Sequence, residues 1–180
     1  MNLEKYIESQ SHPGVHASAK YAYKLYRGVA DYLLEAGMSE ESVVKLLRIQ
    51  PIDVARIWKY AHELSPRTLG ARWLIPTTEQ QAFIILDGML SKEEKAAFRS
   101  QSKDDFVATE HFGLGMWIRN MWIYGPDEEE DKAEEVLRDE CFRMMAGMKK
   151  EDLCFEHPDT VSGRFLERYY EHLKETERHE

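Results

Sequence analysis

Apolar residues recur along this chain at helical spacing, and no stretch alternates apolar and polar positions as a half-buried strand does. Ser11-His12-Pro13-Gly14 reads as a turn, and Tyr21, Leu25, Val29, Tyr32 and Leu33 then form one stripe of a helix expected over residues 15–36. Gly37 suits the position just past its end, where the left-handed conformation carries no Cβ penalty. Ser39 is placed to cap the next helix, with Ser42 in its first turn. Val43, Leu46 and Leu47, then Ile52, Val54, Ile57 and Trp58, predict two short amphipathic helices parted by Pro51.

Ser65-Pro66 closes that second helix, and residues 67–77, flanked by Pro66 and Pro76, read as a linker. Thr78 opens a helix with Phe83, Ile84, Leu86 and Met89 on its apolar side. Ser91 and Glu94 have capping-box spacing, and a short helix to about Arg99 follows. Ser102 caps another, running to Glu110. Residues 111–124 read as a buried helix opened by a glycine-containing turn and stopped by Gly125-Pro126. The acidic run Asp127 to Asp131 suits a helix start and leads to a helix ending near Met148. A last helix is expected over residues 159–175, after His157-Pro158. The fold class is therefore all-α: a three-helix, helix-turn-helix-like N-terminal lobe over 1–66, a linker over 67–77, and a helical C-terminal domain over 78–180.

Composition narrows the setting. Of 180 residues, 43% are hydrophobic and 32% charged, enough apolar surface for a folded core. No apolar run approaches a membrane span, and the first residues lack the pattern of a secretory signal, so no membrane partner and a cytoplasmic location are expected. Cys141 and Cys154 have no metal-type spacing and read as two free thiols. Charge is uneven. Residues 1–75 hold 10 Lys and Arg against 8 Asp and Glu, whereas residues 76–180 hold 14 against 25. Such a surplus of carboxylates repels phosphates, which argues against nucleic acid at the C-terminal half.

Candidate chemistry concentrates in His111-Phe112-Gly113-Leu114-Gly115-Met116-Trp117-Ile118-Arg119-Asn120. A guanidinium in so apolar a segment needs an anionic partner, either a carboxylate of the protein or a ligand. His111, His157 and Asp159 are the catalytic candidates and Arg119, Asn120 and Ser162 the ligand-binding ones: two imidazoles, a carboxylate and an anion clamp would serve general acid–base work. The competing reading is scaffold, with Arg119 paired to Asp159 and His157 holding the turn before the last helix. No phosphate loop, nucleophile elbow or dinucleotide fingerprint occurs, and His111, His157 and Asp159 lack metal-site spacing, so neither cofactor nor metal is expected.

That string, together with Leu90-Ser91, Glu93-Glu94-Lys95 before it and His157-Pro158-Asp159 with Ser162-Gly163 after it, resembles a bacterial family defined as a domain of unknown function, DUF6794, over roughly residues 76–174. The acidic segment between Gly125 and Phe155 is longer than the family pattern leads one to expect. The resemblance implies a helical domain and supplies no chemistry. Residues 39–60 resemble a helix-turn-helix, with Val44 and Arg48 where that motif places a small residue and a turn glycine. On that resemblance Gln50, Arg56 and Lys59 are nucleic-acid candidates, on an outward face that also carries Ile52 and Ala55 and is opposed by Asp53.

Three function classes follow. The leading one is a non-enzymatic interaction or regulatory protein whose acidic C-terminal half meets a protein partner or a second copy. Its alternatives are a small enzyme or anionic-ligand sensor built on the Arg119 cluster, and a DNA-binding regulator built on the N-terminal helices.

Overall fold

The computed structural model describes residues 1–16, 18–58, 65–125, 132–149, 151 and 155–177. Among these the fold is all-α: eleven α-helices, one π-helical segment and no strand. No described helix is long and apolar enough to cross a membrane. The chain divides into two compact units, Met1–Leu74 with Ile84–Met89, and Ile75–Phe83 with Leu90–Glu180.

The first unit holds α1 (Leu3–Gln10), α2 (Ala19–Glu35), α3 (Glu40–Ile49), α4 (Val54–Trp58) and α5 (Pro66–Trp73). Local sequence closes most of these ends. The Asn2 side chain accepts from the Lys5 N–H at the start of α1. After α2, Gly37 takes φ +97°, its N–H donates to the Leu34 carbonyl, and the Met38 N–H donates to the Leu33 carbonyl. That double bond is a Schellman stop, sealed by buried Leu33 and Met38. Ser39 then caps α3 as its position predicts, accepting from the Ser42 N–H.

Two elements differ from what the sequence leads one to expect. The lobe has five helices where three were expected, since α1 escaped the pattern reading. The segment read as a linker is helical through Trp73, with Leu69, Trp73 and Ile75 buried. Prolines at both ends of 67–77 suggested a break, but Pro66 sits at the first position of α5, where its missing N–H costs nothing. Gly28 and Gly70 explain how α5 lies on α2. A Cβ on Gly28 would stand 2.3 Å from the Pro66 side chain, and one on Gly70 would stand 2.6 Å from the Tyr32 ring.

The second unit holds α7 (Lys92–Ser100), α8 (Lys103–Glu110), α9 (Leu114–Ile118), the π-helical segment Arg119–Tyr124, α10 (Lys132–Ala146) and α11 (Pro158–Glu177). Helix α6 (Glu79–Met89) is divided between the units, and on it Ile85 is buried while Phe83, Ile84 and Met89 are only partly covered. Ser91 and Glu94 form the expected capping box, with bonds of 2.7 and 3.1 Å. These bonds hold the Glu94 carboxyl below its ordinary 4.5, the backbone N–H of Ser91 being the main cause. Ser102 caps α8.

Helix α11 is the spine of this unit. Its face of Val161, Phe165, Leu166, Tyr169 and Leu173 is buried, and Phe165 meets both Phe83 and Trp122. Its polar side chains close the C-terminal ends of its neighbours, whose last carbonyls have no partner within their own helix. Tyr170 Oη donates to the Gln101 carbonyl and Lys174 Nζ to the Arg99 carbonyl at the end of α7, each at 2.6 Å. Arg168 Nη2 donates to the Met145 carbonyl at the end of α10, while its Nε pairs with Glu79. Cys141 is a free, buried thiol pushed up to about 12 by that burial, and Cys154 lies outside the described residues.

Candidate functional site

The Arg119 cluster follows the same capping logic. Arg119 opens the π-helical segment with only 6% of its surface exposed. All three guanidinium nitrogens are engaged. Nε lies 2.9 Å from Asp159 Oδ1, Nη1 donates to Ser162 Oγ at 2.9 Å, and Nη2 donates to the His111 carbonyl at 3.1 Å, just past the end of α8. Ser162 Oγ in turn donates to the Asp159 carbonyl at 3.1 Å. One cation thus ties the end of α8 to the start of α11 through all three of its nitrogens.

The glycines of the motif serve this contact. A Cβ on Gly115 would stand 3.1 Å from the Glu110 carbonyl oxygen, 3.3 Å from Arg119 Nη1 and 3.3 Å from Leu166. Gly115 is therefore where α9 approaches α8 and the guanidinium. At Gly113 a Cβ would meet the flexible end of Glu110, whose carboxylate accepts from the Leu114 N–H.

Of the six residues proposed to converge, the structure gathers five in different degrees. Arg119, Asp159 and Ser162 meet side chain to side chain. His111 contributes its carbonyl, while its ring stands edge-on to Phe112 at 4.7 Å. His157 is largely exposed, and its Nδ1 accepts from the Asp159 N–H at 3.3 Å. Nδ1 cannot also donate to Asp159 Oδ2, 3.4 Å away, while it accepts, so the two contacts are alternatives. Asn120 stands apart: it is exposed, and its side chain makes no hydrogen bond to a described residue. Among the described residues no three His, Cys, Asp or Glu side chains gather closely enough to hold a metal.

The family model described as Domain of unknown function (DUF6794) matches residues 75–173. The chain belongs to this family. No curated protein and no solved structure matches it. The DUF6794 match begins where the second compact unit begins, at Ile75, and takes in the glycine motif, the Arg119 cluster and most of α11.

Two features of the DUF6794 region were not visible in the sequence. Arg138, on α10, is a second buried arginine: Nη1 donates to the Met121 carbonyl and Nη2 pairs with Glu134, each at 2.6 Å. Further, residues 111–124 are not the buried helix their composition suggests. Gly115, Ile118, Arg119 and Trp122 are buried, but Phe112 is 74% exposed, Tyr124 54%, Met116 47% and Met121 43%. The segment is apolar on both faces, so composition could not tell the packed face from the open one.

In the first unit two of the three nucleic-acid candidates are described. Gln50 ends α3, and its carbonyl accepts from the Trp73 indole N–H. Arg56 is exposed on α4, Ile52 is buried instead of outward-facing, and Lys59 lies outside the described residues. A cavity of about 540 Å³ lies beside α3, lined by Asn2, Leu3, Glu40, Val44 and Arg48 among others. Its charges are mixed, with Lys45 on its rim paired to Glu41.

Proposed function

We propose that this protein is a non-enzymatic interaction or regulatory protein that works through protein–protein contacts of its acidic C-terminal half. The observation that carries the reading is the closure of the Arg119 cluster. Each nitrogen of the guanidinium already has a protein acceptor in Asp159, Ser162 or the His111 carbonyl, and burial leaves little of the group open to a substrate. The catalytic candidates do not form a relay either, since His111 takes part through its backbone. Large apolar side chains left open to solvent on residues 112–124 are what a contact surface offers.

The alternative, an anionic-ligand sensor, requires a ligand to displace Asp159, whose side chain is 45% exposed. Two measurements separate these readings. Crosslinking of the full chain in the cells that make it, read by mass spectrometry, is expected to join residues of the C-terminal half to another protein. Thermal melting with a panel of phosphate and carboxylate metabolites is expected to show no stabilisation. A ligand-dependent rise in melting temperature that Arg119→Lys removes, with no crosslinked partner, would replace this reading with the sensor.

A further inference from the structure

The first turn of α11 is capped by a nitrogen. His157 directly precedes Pro158, the first residue of the helix, and its Nδ1 accepts from the Asp159 N–H at 3.3 Å. Asn2, Ser39, Ser91 and Ser102 cap their helices with side-chain oxygens, whose lone pairs no ordinary pH removes. An imidazole differs. Its Nδ1 has a lone pair only while the proton sits on Nε2, and the charged ring carries an N–H on both nitrogens.

A charged His157 therefore leaves the Asp159 N–H without its acceptor, at the positive end of a 20-residue helix where a cation is disfavoured. The compensating group stands beside it. Asp159 Oδ2 lies 3.4 Å from Nδ1, so a small turn of the ring exchanges the backbone N–H for the carboxylate. The same carboxylate holds the buried Arg119 guanidinium, with Oδ1 2.9 Å from Nε. His157 is largely exposed, so a proton taken from solvent acts through Asp159 on a cation that solvent hardly touches.

The other charged and titratable groups of this junction are already placed. Glu156, next in the chain, is bound through both oxygens by Arg164 Nη1 at 2.9 and 2.7 Å. Glu110, at the end of α8, is turned to the Leu114 N–H. The His111 ring lies against Phe112, while its carbonyl accepts from Arg119.

We propose that His157 is a pH-sensitive latch on the junction of α8 and α11. Neutral, it caps α11 and leaves Asp159 to Arg119. Charged, it gives up the cap, shares the Asp159 carboxylate and weakens the tie that Arg119 makes between the two helices. The latch needs no partner protein, so its test is independent of the interaction reading above.

NMR of the full chain, labelled with nitrogen-15 and carbon-13, reads the latch during a titration from about pH 8 to about pH 5. Imidazoles take up a proton over that span while carboxylates stay largely charged. The His157 ring resonance reports its own titration. The Asp159 amide proton is expected to move upfield with the same midpoint as its hydrogen bond is lost, and the Arg119 Nε–H to move with it. In His157→Asn, which keeps a neutral acceptor at the cap position, both are expected to hold still. His111→Gln, which removes the other imidazole of the junction, is expected to leave both movements in place. An Asp159 amide that ignores the His157 titration overturns the proposal, as does movement that persists in His157→Asn. An Arg119 resonance that stays still while the Asp159 amide moves overturns it too, because the cap then switches without reaching the cluster. Movement of Arg119 that His111→Gln abolishes belongs to the other ring and counts against the latch in the same way.

Discussion

The two compact units close their helices in different ways. In the first, most caps are local, with Asn2, Ser39 and the Gly37 stop each acting within a few residues of the end they satisfy, and the Trp73 indole reaching the Gln50 carbonyl after α3 is the long-range exception. In the second, α7 and α8 have local N-caps and α10 ends on a local Gly147 stop, but several C-terminal carbonyls are also reached by side chains from distant positions. Arg168 and Lys174 reach across from α11, Arg138 from α10, and Arg119 from the π-helical segment. The consequence is functional. Arg119, which looks like part of a ligand site in the sequence, is engaged at a helix end, and the large side chains exposed on residues 112–124 are apolar.

Core truncation gives the largest effect that tests this contrast. Phe165→Ala, at the aromatic centre of the second unit, is expected to cost about 4 kcal/mol in chemical denaturation. Leu33→Ala, in the aliphatic core of the first, is expected to cost about 3 kcal/mol. If the units unfold separately, each variant moves only its own transition, which two spectroscopic probes will resolve.

Arg119→Ala comes next. It removes a buried cation and leaves the Ser162 hydroxyl and the His111 carbonyl without their donor, so a loss of about 3 kcal/mol is expected. Asp159→Asn is expected to cost less, because Asp159 is close to half exposed. A ligand site gives the opposite pattern, with little loss of stability from Arg119→Ala.

Glycine substitutions sharpen the comparison further. Gly28→Ala forces α2 off Pro66 and is expected to destabilise by about 2 kcal/mol. Gly163, inside α11, has nothing within 4 Å of a built Cβ, so Gly163→Ala is expected to stabilise by about 1 kcal/mol through helix propensity. A destabilised Gly163→Ala would show that the start of α11 has a contact this account lacks.

The smallest effects concern the local caps. Ser102→Ala is expected to cost about 1 kcal/mol. Glu94 is held below its ordinary 4.5 in the folded chain, so its contribution is present above that value and disappears as pH falls through the lowered folded value. The stability difference between the native chain and Glu94→Gln is therefore expected to shrink on acidification below pH 4.5. A difference that grows there would reverse the sign.

These contrasts also mark what the sequence could disclose. Ser39, Ser91, Ser102 and Gly37 were legible because a cap and the group it satisfies lie within one turn. The Arg119–Asp159–Ser162 meeting was legible as chemistry, since a guanidinium among apolar residues demands a partner, although its engagement of the His111 carbonyl was not. Helix α1 carried a readable signal in Asn2 with Leu3, Tyr6 and Ile7 that the turn at Ser11–Gly14 overshadowed. Arg138 was hidden because nothing near it in the chain shows that the Met121 carbonyl needs a donor. The open face of Met116 and Tyr124 was hidden because apolar residues surround the whole segment, and only packing selects which side is covered.

The account turns on whether the Arg119 guanidinium belongs to the fold. Nitrogen-15 NMR of the full chain, following the Arg119 Nε–H during a titration with inorganic phosphate, reads this directly. The account predicts a single resonance protected from solvent exchange and unmoved by phosphate. Rapid exchange, or a saturable shift as phosphate displaces Asp159, would contradict it and return the cluster to a ligand.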